Sequence, residues 1–375
     1  MFLPSKLQSK LKKRIDNTSL RSLHQKNNLI DFSSNDYLGY ASNEELFFKT
    51  HQFLLDRNLK INGATGSRLL TGNHELYTET ESLLATFYKT ESALIFNSGY
   101  DANIGFFSCV PQRDDIILYD EFVHASIRDG IQLSNAKAFK FKHNNIAHLE
   151  ELLLKFSSKK TTLYVVTESV FSMDGDSPNL IEISNITTKH NALLIIDEAH
   201  AVGVFGNGLT PKLQLETTVF ARIITFGKAF GCHGAAVLGS GALIKYLINF
   251  ARSFIYTTGL SPHSIATILQ THLYYIESNT QKLHSNIHFF NKEIKRLDIA
   301  SLFIQSNSAI HCCIISGNEK TKKVANKLHE KNFDVKPILS PTVSPGKERL
   351  RFCLHSYNSE QEITNVLENL SIFAH

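Results

Sequence analysis

Cysteine is scarce in this chain, and its spacing argues against both a disulfide framework and a zinc site. The 375 residues include five cysteines, an odd number, of which two are adjacent and none form a C-x-x-C pair. Disulfide frameworks and structural zinc sites normally require an even or regularly spaced set. We therefore expect a protein of the reducing cytoplasm without disulfides and without a metal site.

Long apolar runs and a strong charge imbalance are also missing. No stretch approaches the roughly 18 consecutive apolar residues that mark a membrane span, and the apolar run at the N-terminus is too short for a signal peptide. The net charge of +4 is too small to indicate nucleic-acid binding, although it suits anionic substrates. With 42% hydrophobic and 20% charged residues, the composition is typical of a globular protein with a large core.

Short apolar runs alternate with helical patterns from about residue 92 onward. Continuous apolar strands that alternate with helices indicate a mostly parallel sheet covered by helices on both faces, an α/β architecture. Such sheets bind ligands beyond the carboxyl ends of their strands. The predicted strands are residues 93–96, 116–119, 138–141, 162–167, 193–196, 223–226 and 235–238.

We divide the chain into an N-terminal segment (1–43), a large domain (44–255) and a smaller α+β C-terminal domain (256–375). Leu7, Leu11, Ile15 and Leu20 are near helical spacing and predict one amphipathic helix in the N-terminal segment. The C-terminal domain is predicted to hold strands at 309–315, 333–337 and 350–354, and helices at 319–331 and 359–373.

Lys228 stands in the glycine-rich stretch TFGKAFGCHGAA, directly after a predicted buried strand. Most lysines are simply solvated, and Lys228 alone could be one at the edge of a turn. A lysine removed from water, however, is an amine nucleophile suited to a Schiff base. Glycines on both sides would let the backbone bend tightly or approach a ligand closely.

Other polar side chains follow neighbouring strands at the same predicted edge of the sheet. Asp197 follows four apolar residues, and a carboxylate buried there needs a cationic partner. That partner could be a structural ion pair or the protonated pyridine nitrogen of pyridoxal phosphate, which the carboxylate would keep protonated. Glu168 ends another run, and His200 could form a hydrogen bond with the phenolic oxygen of such a cofactor.

A phosphate site and an aromatic stacking partner can also be proposed from the residues. Ser98, Gly99 and Tyr100 stand where a strand gives way to a helix, and a helix N-terminus binds phosphate readily. His124 could lie flat on a pyridine ring, or it could be a partly buried histidine in a helix cap. Hydroxyl groups that could reach the same phosphate belong to Thr225, Thr257 and Thr258.

Arg349 and Arg351 lie on one predicted strand of the C-terminal domain, and we expect them to face opposite ways. The guanidinium of one would bind a substrate carboxylate through two parallel hydrogen bonds. The other would form an ion pair at the surface or at an interface.

These residues occur within a series of motifs that resembles the α-oxoamine synthase family of fold-type I pyridoxal-phosphate enzymes. The resemblance runs from about residue 30 to residue 358. The motifs are, in order, SSNDYLGY, GATGSRLLTGNHELYTETE, NSGYDAN, DEFVHASI, ESVFSMDGD, IDEAHAVGVFG, TFGKAFGCHGAAV, FIYTT, SPTVSPG and ERLRFCL.

The resemblance implies pyridoxal 5'-phosphate as cofactor, with Lys228 bonded to it, His124 on its ring and Asp197 on the ring nitrogen. The residues that it places around the cofactor are Ser98, Gly99, Tyr100, His124, Glu168, Ser172, Asp197, His200, Thr225, Lys228, Thr257 and Thr258, with Thr257 or Thr258 supplied by a neighbouring subunit. It assigns substrate contacts to Arg21, Asn35, His124, Thr342 and Arg351, of which Arg351 takes the carboxylate.

The family member that the chain resembles most condenses L-alanine with a pimeloyl thioester in biotin synthesis, with coenzyme A or an acyl-carrier protein as carrier. The resemblance therefore implies a cytoplasmic homodimer with shared active sites. Sister enzymes that use glycine or serine, an ordinary aminotransferase and a non-catalytic subunit are the alternatives. Three departures from the family pattern, Leu339, Ser344 and the sequence HSYN at 355–358, lie in the predicted C-terminal domain.

Overall fold

The computed structural model of the chain describes residues 3–23, 28–157, 161–278 and 280–374. Within these ranges the α-helices are α1 (Ser5–Asp16), α2 (Glu44–Asp56), α3 (Glu75–Phe87), α4 (Gly99–Cys109), α5 (Ala125–Leu133), α6 (Ile146–Phe156), α7 (Leu180–Lys189), α8 (Leu209–Lys212), α9 (Gly241–Phe250), α10 (Arg252–Ile255), α11 (Pro262–Glu277), α12 (Gln281–Arg296), α13 (Asn318–Glu330) and α14 (Glu360–Phe373). The strands are β1 (Ile30–Asp31), β2 (Ser92–Phe96), β3 (Ile116–Asp120), β4 (Lys137–Phe141), β5 (Leu163–Glu168), β6 (Leu193–Asp197), β7 (Val219–Thr225), β8 (Ala235–Gly239), β9 (Ile310–Ile314), β10 (Phe333–Asp334), β11 (Lys336–Ile338) and β12 (Arg349–Cys353).

The chain divides into two compact units. Unit 1 consists of Met1–Ser34, Met173–Asp176 and Gln281–His375, and unit 2 consists of Asn35–Ser172 and Ser177–Thr280. These units divide the chain at other positions than the proposed domain boundaries after residues 43 and 255, which stay a prediction.

Unit 2 is built on a seven-stranded sheet in the order β2-β8-β7-β6-β5-β3-β4. The pairs from β7 to β4 are parallel, whereas β8 is antiparallel to both of its neighbours. The mostly parallel sheet predicted from the sequence is thus confirmed, and each predicted run overlaps one of its strands. Because six strands point the same way, their carboxyl ends meet at one edge.

Helices cover both faces of this sheet because alternate strand residues point to opposite sides. In β2, Leu94 and Phe96 pack in a cluster with α4, α5 and α9. Ala93 and Ile95, which alternate with these two residues along the strand, pack on the opposite face in a second cluster with α2, α3 and α11. A third cluster joins β3, β5 and β6 to α6 and α7. These apolar contacts hold the strand ends, and the side chains that follow them, in fixed positions.

Unit 1 contains the predicted smaller α+β fold. An antiparallel sheet in the order β11-β12-β9 is accompanied by α12, α13 and α14, and β1 pairs with β10 in parallel. The predicted strand at 333–337 is in fact two short strands with different partners.

Helix α1 is amphipathic, as predicted, but it ends at Asp16, so Leu20 lies beyond it. Leu7, Leu11 and Ile15 of this helix are about half exposed. In the described part of the chain, no helix has both the length and the apolar character needed to cross a membrane.

Candidate active site

The loop that carries Lys228 begins where β7 ends and is closed by its own backbone. Phe226 N–H donates to the Gly234 carbonyl at 2.9 Å, and Gly231 N–H donates to the Lys228 carbonyl at 2.9 Å. Gly231 has φ +59°, and a Cβ atom there would stand 2.3 Å from the backbone nitrogen of Ala41. A larger residue would therefore displace this loop, since the backbone of Ala41 cannot yield as a side chain can.

Lys228 is half-buried and stands at the start of a chain of polar contacts. Its Nζ lies 2.6 Å from Nε2 of His200, and the other ring nitrogen of His200, Nδ1, lies 2.7 Å from the hydroxyl of Tyr37. Tyr37 in turn donates to Oδ1 of Asn35 at 3.1 Å. Three residues proposed from the sequence are thus brought together, and Tyr37, which was not among them, connects two of them.

Asp197 ends β6 with its carboxylate buried among neutral donors. Its Oδ1 accepts from the backbone of Ala199 at 2.9 Å and its Oδ2 accepts from Nδ2 of Asn103 at 2.9 Å. Among the described residues no lysine or arginine forms an ion pair with it. A buried carboxylate held only by neutral groups favours a cation beside it. A protonated pyridine nitrogen fits that requirement, which favours the cofactor role over a structural ion pair.

Glu168 ends the neighbouring strand β5 directly opposite Asp197. The side chain is 3% exposed. Burial raises the pKa of its carboxyl group well above the ordinary value, and the negative charge of Asp197 adds to this, although Lys228 acts in the opposite direction. Burial beside Asp197 therefore favours the protonated, neutral form of Glu168.

His124 caps the N-terminus of α5, so the helix-cap interpretation is correct for its backbone position. Its Nδ1 accepts from the backbone of Ser126 at 3.2 Å and lies 2.7 Å from the Ser126 hydroxyl. Its own backbone N–H donates to Oε1 of Glu168 at 2.5 Å. Burial lowers the pKa of the ring although Asp197 acts to raise it, which favours neutral imidazole.

Asn103, in α4, links the His124 side of the site to Asp197 and was not proposed from the sequence. Its Nδ2 donates to both Ser126 Oγ at 3.0 Å and Asp197 Oδ2 at 2.9 Å. The side chain is 2% exposed. Only its polarity at a buried helix position could have signalled this role.

The proposed phosphate site is the N-terminus of α4. Ser98 caps this helix, accepting from the backbone of Asp101 at 3.1 Å, while the first-turn amides of Gly99 and Tyr100 have no acceptor within the helix. Thr225 lies next to Gly99, since a Cβ atom built on Gly99 would stand 3.6 Å from the Cβ atom of Thr225. These groups can bind a phosphate together with the dipole of an 11-residue helix.

The two threonines proposed for the same phosphate lie next to this helix within the same chain. Asn97, the residue before Ser98, donates through Nδ2 to Thr257 Oγ1 at 3.1 Å and to the Thr258 carbonyl at 2.7 Å. Ser172 is buried in unit 2. The roles of all three toward the cofactor stay predictions.

Three of the residues proposed for substrate binding belong to unit 1. Arg21 donates through Nη2 to Thr342 Oγ1 at 3.3 Å, so two of them are brought together. Arg351 is 8% exposed, and its Nη1 lies 3.0 Å from Sγ of Cys353. A guanidinium buried to this degree is well suited to holding a carboxylate.

Arg349 corrects two expectations. Side chains two positions apart on a strand share a face, so Arg349 and Arg351 do not face opposite ways. Arg349 also does not lie at the surface: it is 5% exposed and pairs with Oδ1 of Asp174 at 2.5 Å. It joins β12 to the segment Met173–Asp176 within unit 1.

The HSYN departure forms a cluster with the segment around Asp31. The rings of His355 and Tyr357 are stacked at 4.6 Å with an interplanar angle of 5°. The Tyr357 hydroxyl donates to Oδ2 of Asp31 at 2.9 Å, and Asn358 Nδ2 donates to the Asp31 carbonyl at 3.1 Å. Burial acts to raise the pKa of Asp31, but the charge of His355 and hydrogen bonds from Ser34 and its neighbour outweigh it and lower the pKa to about 2. These residues therefore hold the segment that immediately precedes Asn35 in the sequence.

Comparison with known proteins agrees with this geometry. The family model described as aminotransferase class I and II matches residues 27–370. A relative from Emericella nidulans named 8-amino-7-oxononanoate synthase is 35% identical over 98% of this chain and 95% of its own.

Among solved structures, the serine palmitoyltransferase from S. paucimobilis, solved with a bound PLP–myriocin aldimine, has a TM-score of 0.89 at 25% identity, covering 98% of this chain and 96% of that one. The 8-amino-7-oxononanoate synthase of Francisella tularensis has a TM-score of 0.78 at 30% identity, covering 92% and 98%.

The chain belongs to the aminotransferase class I and II family, within its α-oxoamine synthase branch. It is a pyridoxal-phosphate-dependent acyltransferase of fold type I, and its cofactor is pyridoxal phosphate. The residues present fit that cofactor. Lys228 offers the amine, Asp197 offers a buried carboxylate without a cationic partner among the described residues, and α4 offers a helix N-terminus for the phosphate.

Proposed function

We propose that this protein condenses L-alanine with a pimeloyl thioester, giving 8-amino-7-oxononanoate, carbon dioxide and the free thiol carrier, as a step of biotin synthesis. The observation that carries the proposal is the 35% identity to an 8-amino-7-oxononanoate synthase over nearly the whole chain. The contact between Lys228 and His200 beside a buried Asp197 supports it, because that is where the chemistry requires a base and an anion.

Pyridoxal phosphate, when bound, supplies a protonated pyridine ring that draws electrons from the bond being broken. Asp197 would keep the ring nitrogen protonated. Lys228 would hold the cofactor, and its amine, when free, would take the proton from Cα of alanine. His200, 2.6 Å away through Nε2, orients the lysine amine during this transfer.

His124 is the proposed donor to the thioester carbonyl oxygen. Because its Nδ1 accepts from the Ser126 N–H, the proton of the neutral ring resides on Nε2. An Nε2–H group can donate to the oxygen as negative charge develops there, and a donor fixed in advance costs no reorganisation. The lowered pKa of His124 keeps this neutral form in place.

The substrate carboxylate is assigned to Arg351, with Asn35, Arg21 and Thr342 as further substrate contacts. A buried guanidinium can form two parallel hydrogen bonds with a carboxylate, which fixes the orientation of the amino acid as well as its position. We propose that the active protein is a cytoplasmic homodimer with shared sites and that the acyl carrier is coenzyme A or an acyl-carrier protein.

A serine palmitoyltransferase-like activity is the second candidate, and one observation favours it. The TM-score to that enzyme is 0.89, higher than the 0.78 to the Francisella tularensis 8-amino-7-oxononanoate synthase. The two activities differ in the amino acid by one hydroxyl group, which a pocket distinguishes by only about 1–3 kcal/mol.

The test is thiol release by the purified holoprotein with L-alanine, glycine or L-serine, each paired with pimeloyl or palmitoyl thioesters. We expect turnover with alanine and a pimeloyl thioester, with the amino ketone confirmed by mass spectrometry. Turnover only with serine and the palmitoyl thioester would transfer the protein to the second candidate.

Lys228→Ala is the companion variant. It should abolish both turnover and the visible absorbance of the bound cofactor, whereas Lys245→Ala, at an exposed lysine in α9, should leave both unchanged. An unaltered visible band in Lys228→Ala would contradict the assignment of this lysine.

A further inference from the structure

Tyr37 stands between His200 and Asn35 with its side chain fully buried. Its hydroxyl lies 2.7 Å from Nδ1 of His200 and 3.1 Å from Oδ1 of Asn35. A buried hydroxyl with two partners has one proton to donate and lone pairs with which to accept. The identity of its partners therefore decides the direction of each hydrogen bond.

The directions follow from the chemistry of Asn35. An amide oxygen can only accept, so Tyr37 donates its proton to Asn35 Oδ1. The hydroxyl oxygen is then left to accept from His200, which requires a proton on Nδ1. In the neutral imidazole this leaves Nε2 as a lone pair, and that nitrogen is the one 2.6 Å from Lys228 Nζ.

We infer that Tyr37 is a positioning residue that fixes neutral His200 as its Nδ1–H tautomer and thereby presents the Nε2 lone pair to Lys228. All three hydrogen bonds then run in one direction, from Lys228 through His200 and Tyr37 to Asn35. Hydrogen bonds aligned in this way strengthen one another in a buried site. Without the Tyr37 hydroxyl, the Nδ1–H form loses one hydrogen bond, so the other tautomer, which directs an N–H group at the lysine, gains population.

The arrangement has a consequence for the proton on Lys228. A lone pair at Nε2 accepts from the lysine ammonium and favours the protonated form, whereas an N–H at the same place opposes it. Glu168 and His124 are two further ionisable groups that interact electrostatically with Lys228, and each of them also interacts with Asp197. None of them is altered by a change at Tyr37.

The first test is the tautomer of His200 in the cofactor-free protein, where Lys228 is a free amine, measured by nitrogen NMR after labelling of histidine. The chain has 17 histidines, so the His200 signals are assigned by their loss in His200→Gln. In Tyr37→Phe the ratio of the Nδ1–H to the Nε2–H form should fall about fivefold, as expected for one lost hydrogen bond. Tyr40→Phe is the matched control, because its hydroxyl contacts Ser278 at 2.6 Å instead.

The second test is the pH dependence of the rate at which cofactor-free protein takes up pyridoxal phosphate, which requires the neutral amine of Lys228. In Tyr37→Phe the midpoint should move to lower pH by about 0.7 unit, the same fivefold change. In Tyr40→Phe it should not move. A purely structural role for Tyr37 would change neither the tautomer nor the midpoint.

An unchanged tautomer ratio in Tyr37→Phe overturns the inference, and so does an unchanged midpoint or an equal shift in Tyr40→Phe. The inference rests on the proposed function only in taking Lys228 as the lysine that bonds the cofactor. Failure to form 8-amino-7-oxononanoate would refute that function and leave the NMR result intact. The two failures can therefore be told apart.

Discussion

Replacing Glu168 with glutamine should make the protein more stable than wild type at neutral and alkaline pH. The carboxyl group is buried opposite Asp197, and burial, reinforced by that neighbouring charge, raises its pKa well above the ordinary value of 4.5. Folded protein therefore holds a proton that the unfolded chain releases. Glutamine imitates the neutral acid, and its amide oxygen can still accept from the His124 N–H, which now donates to Oε1 at 2.5 Å.

The magnitude follows from proton linkage. For a group with a raised pKa, the stabilising contribution is complete below the unfolded-state pKa and is lost as pH rises through the folded-state pKa. Between those two values the folded protein binds about one proton more, so the free energy of unfolding of wild type falls by about 1.4 kcal/mol for each pH unit. Glu168→Gln has no such proton, so its stability relative to wild type should rise by that amount per unit.

Urea unfolding at a series of pH values measures the slope. Far-ultraviolet circular dichroism is the appropriate signal because the chain has no tryptophan. Cofactor-free protein gives the clearest result, since a cation bound at Asp197 would weaken the repulsion on Glu168. Glu151→Gln, at an exposed position in α6, controls for the loss of one carboxylate. Equal pH slopes in wild type and Glu168→Gln would refute the reasoning, because they would mean that Glu168 is ionised in the folded protein.

Two further substitutions test contacts that hold each unit together. Arg222→Met should lower the free energy of unfolding by about 3–5 kcal/mol, because it leaves the buried Glu198 without its cationic partner at 2.5 Å. Adding Glu198→Gln should recover part of that loss in urea unfolding, and strictly additive effects would contradict the coupling. Gly175→Ala should lower thermal stability in unit 1, because a Cβ atom there would stand 2.2 Å from the Ile310 carbonyl oxygen. Gly346 also has a positive φ, but a Cβ atom there would meet open space. The loss of stability in Gly175→Ala should therefore exceed that in Gly346→Ala by about 1–3 kcal/mol. Equal losses would show that only the backbone conformation matters.

The sheet of unit 2 could be predicted because each of its strands is locally marked. A run such as 193–196 is apolar throughout, is flanked by polar or turn-forming residues, and corresponds to β6 with one residue added. The same locality explains why Asp197 and Lys228 could be proposed as neighbours of the sheet edge. Parallel strands bring their carboxyl ends together whatever the details of their pairing.

The residues that were missed act through partners remote in sequence. Tyr37 lies 163 positions from His200, and Asn103 lies 94 positions from Asp197. Nothing local distinguishes a tyrosine in a loop or an asparagine in a helix that has such a partner from one that does not. Arg349 was expected at the surface or at an interface for the same reason, because its partner Asp174 is 175 positions away.

The composition of unit 1 from three separate stretches of chain has a consequence for synthesis. Ser33 and Asp334, which share a hydrogen bond at 2.9 Å, are 301 positions apart, and Met173–Asp176 lies between them in the sequence. On a ribosome, the early pieces of this unit emerge long before residues 281–375, whereas every part of unit 2 has been made by residue 280. Domains fold as units during translation, so unit 2 can fold first and the first 34 residues must wait for the end of the chain. A truncated product that stops near residue 280 would carry Lys228, Asp197 and His124 but would lack Arg351.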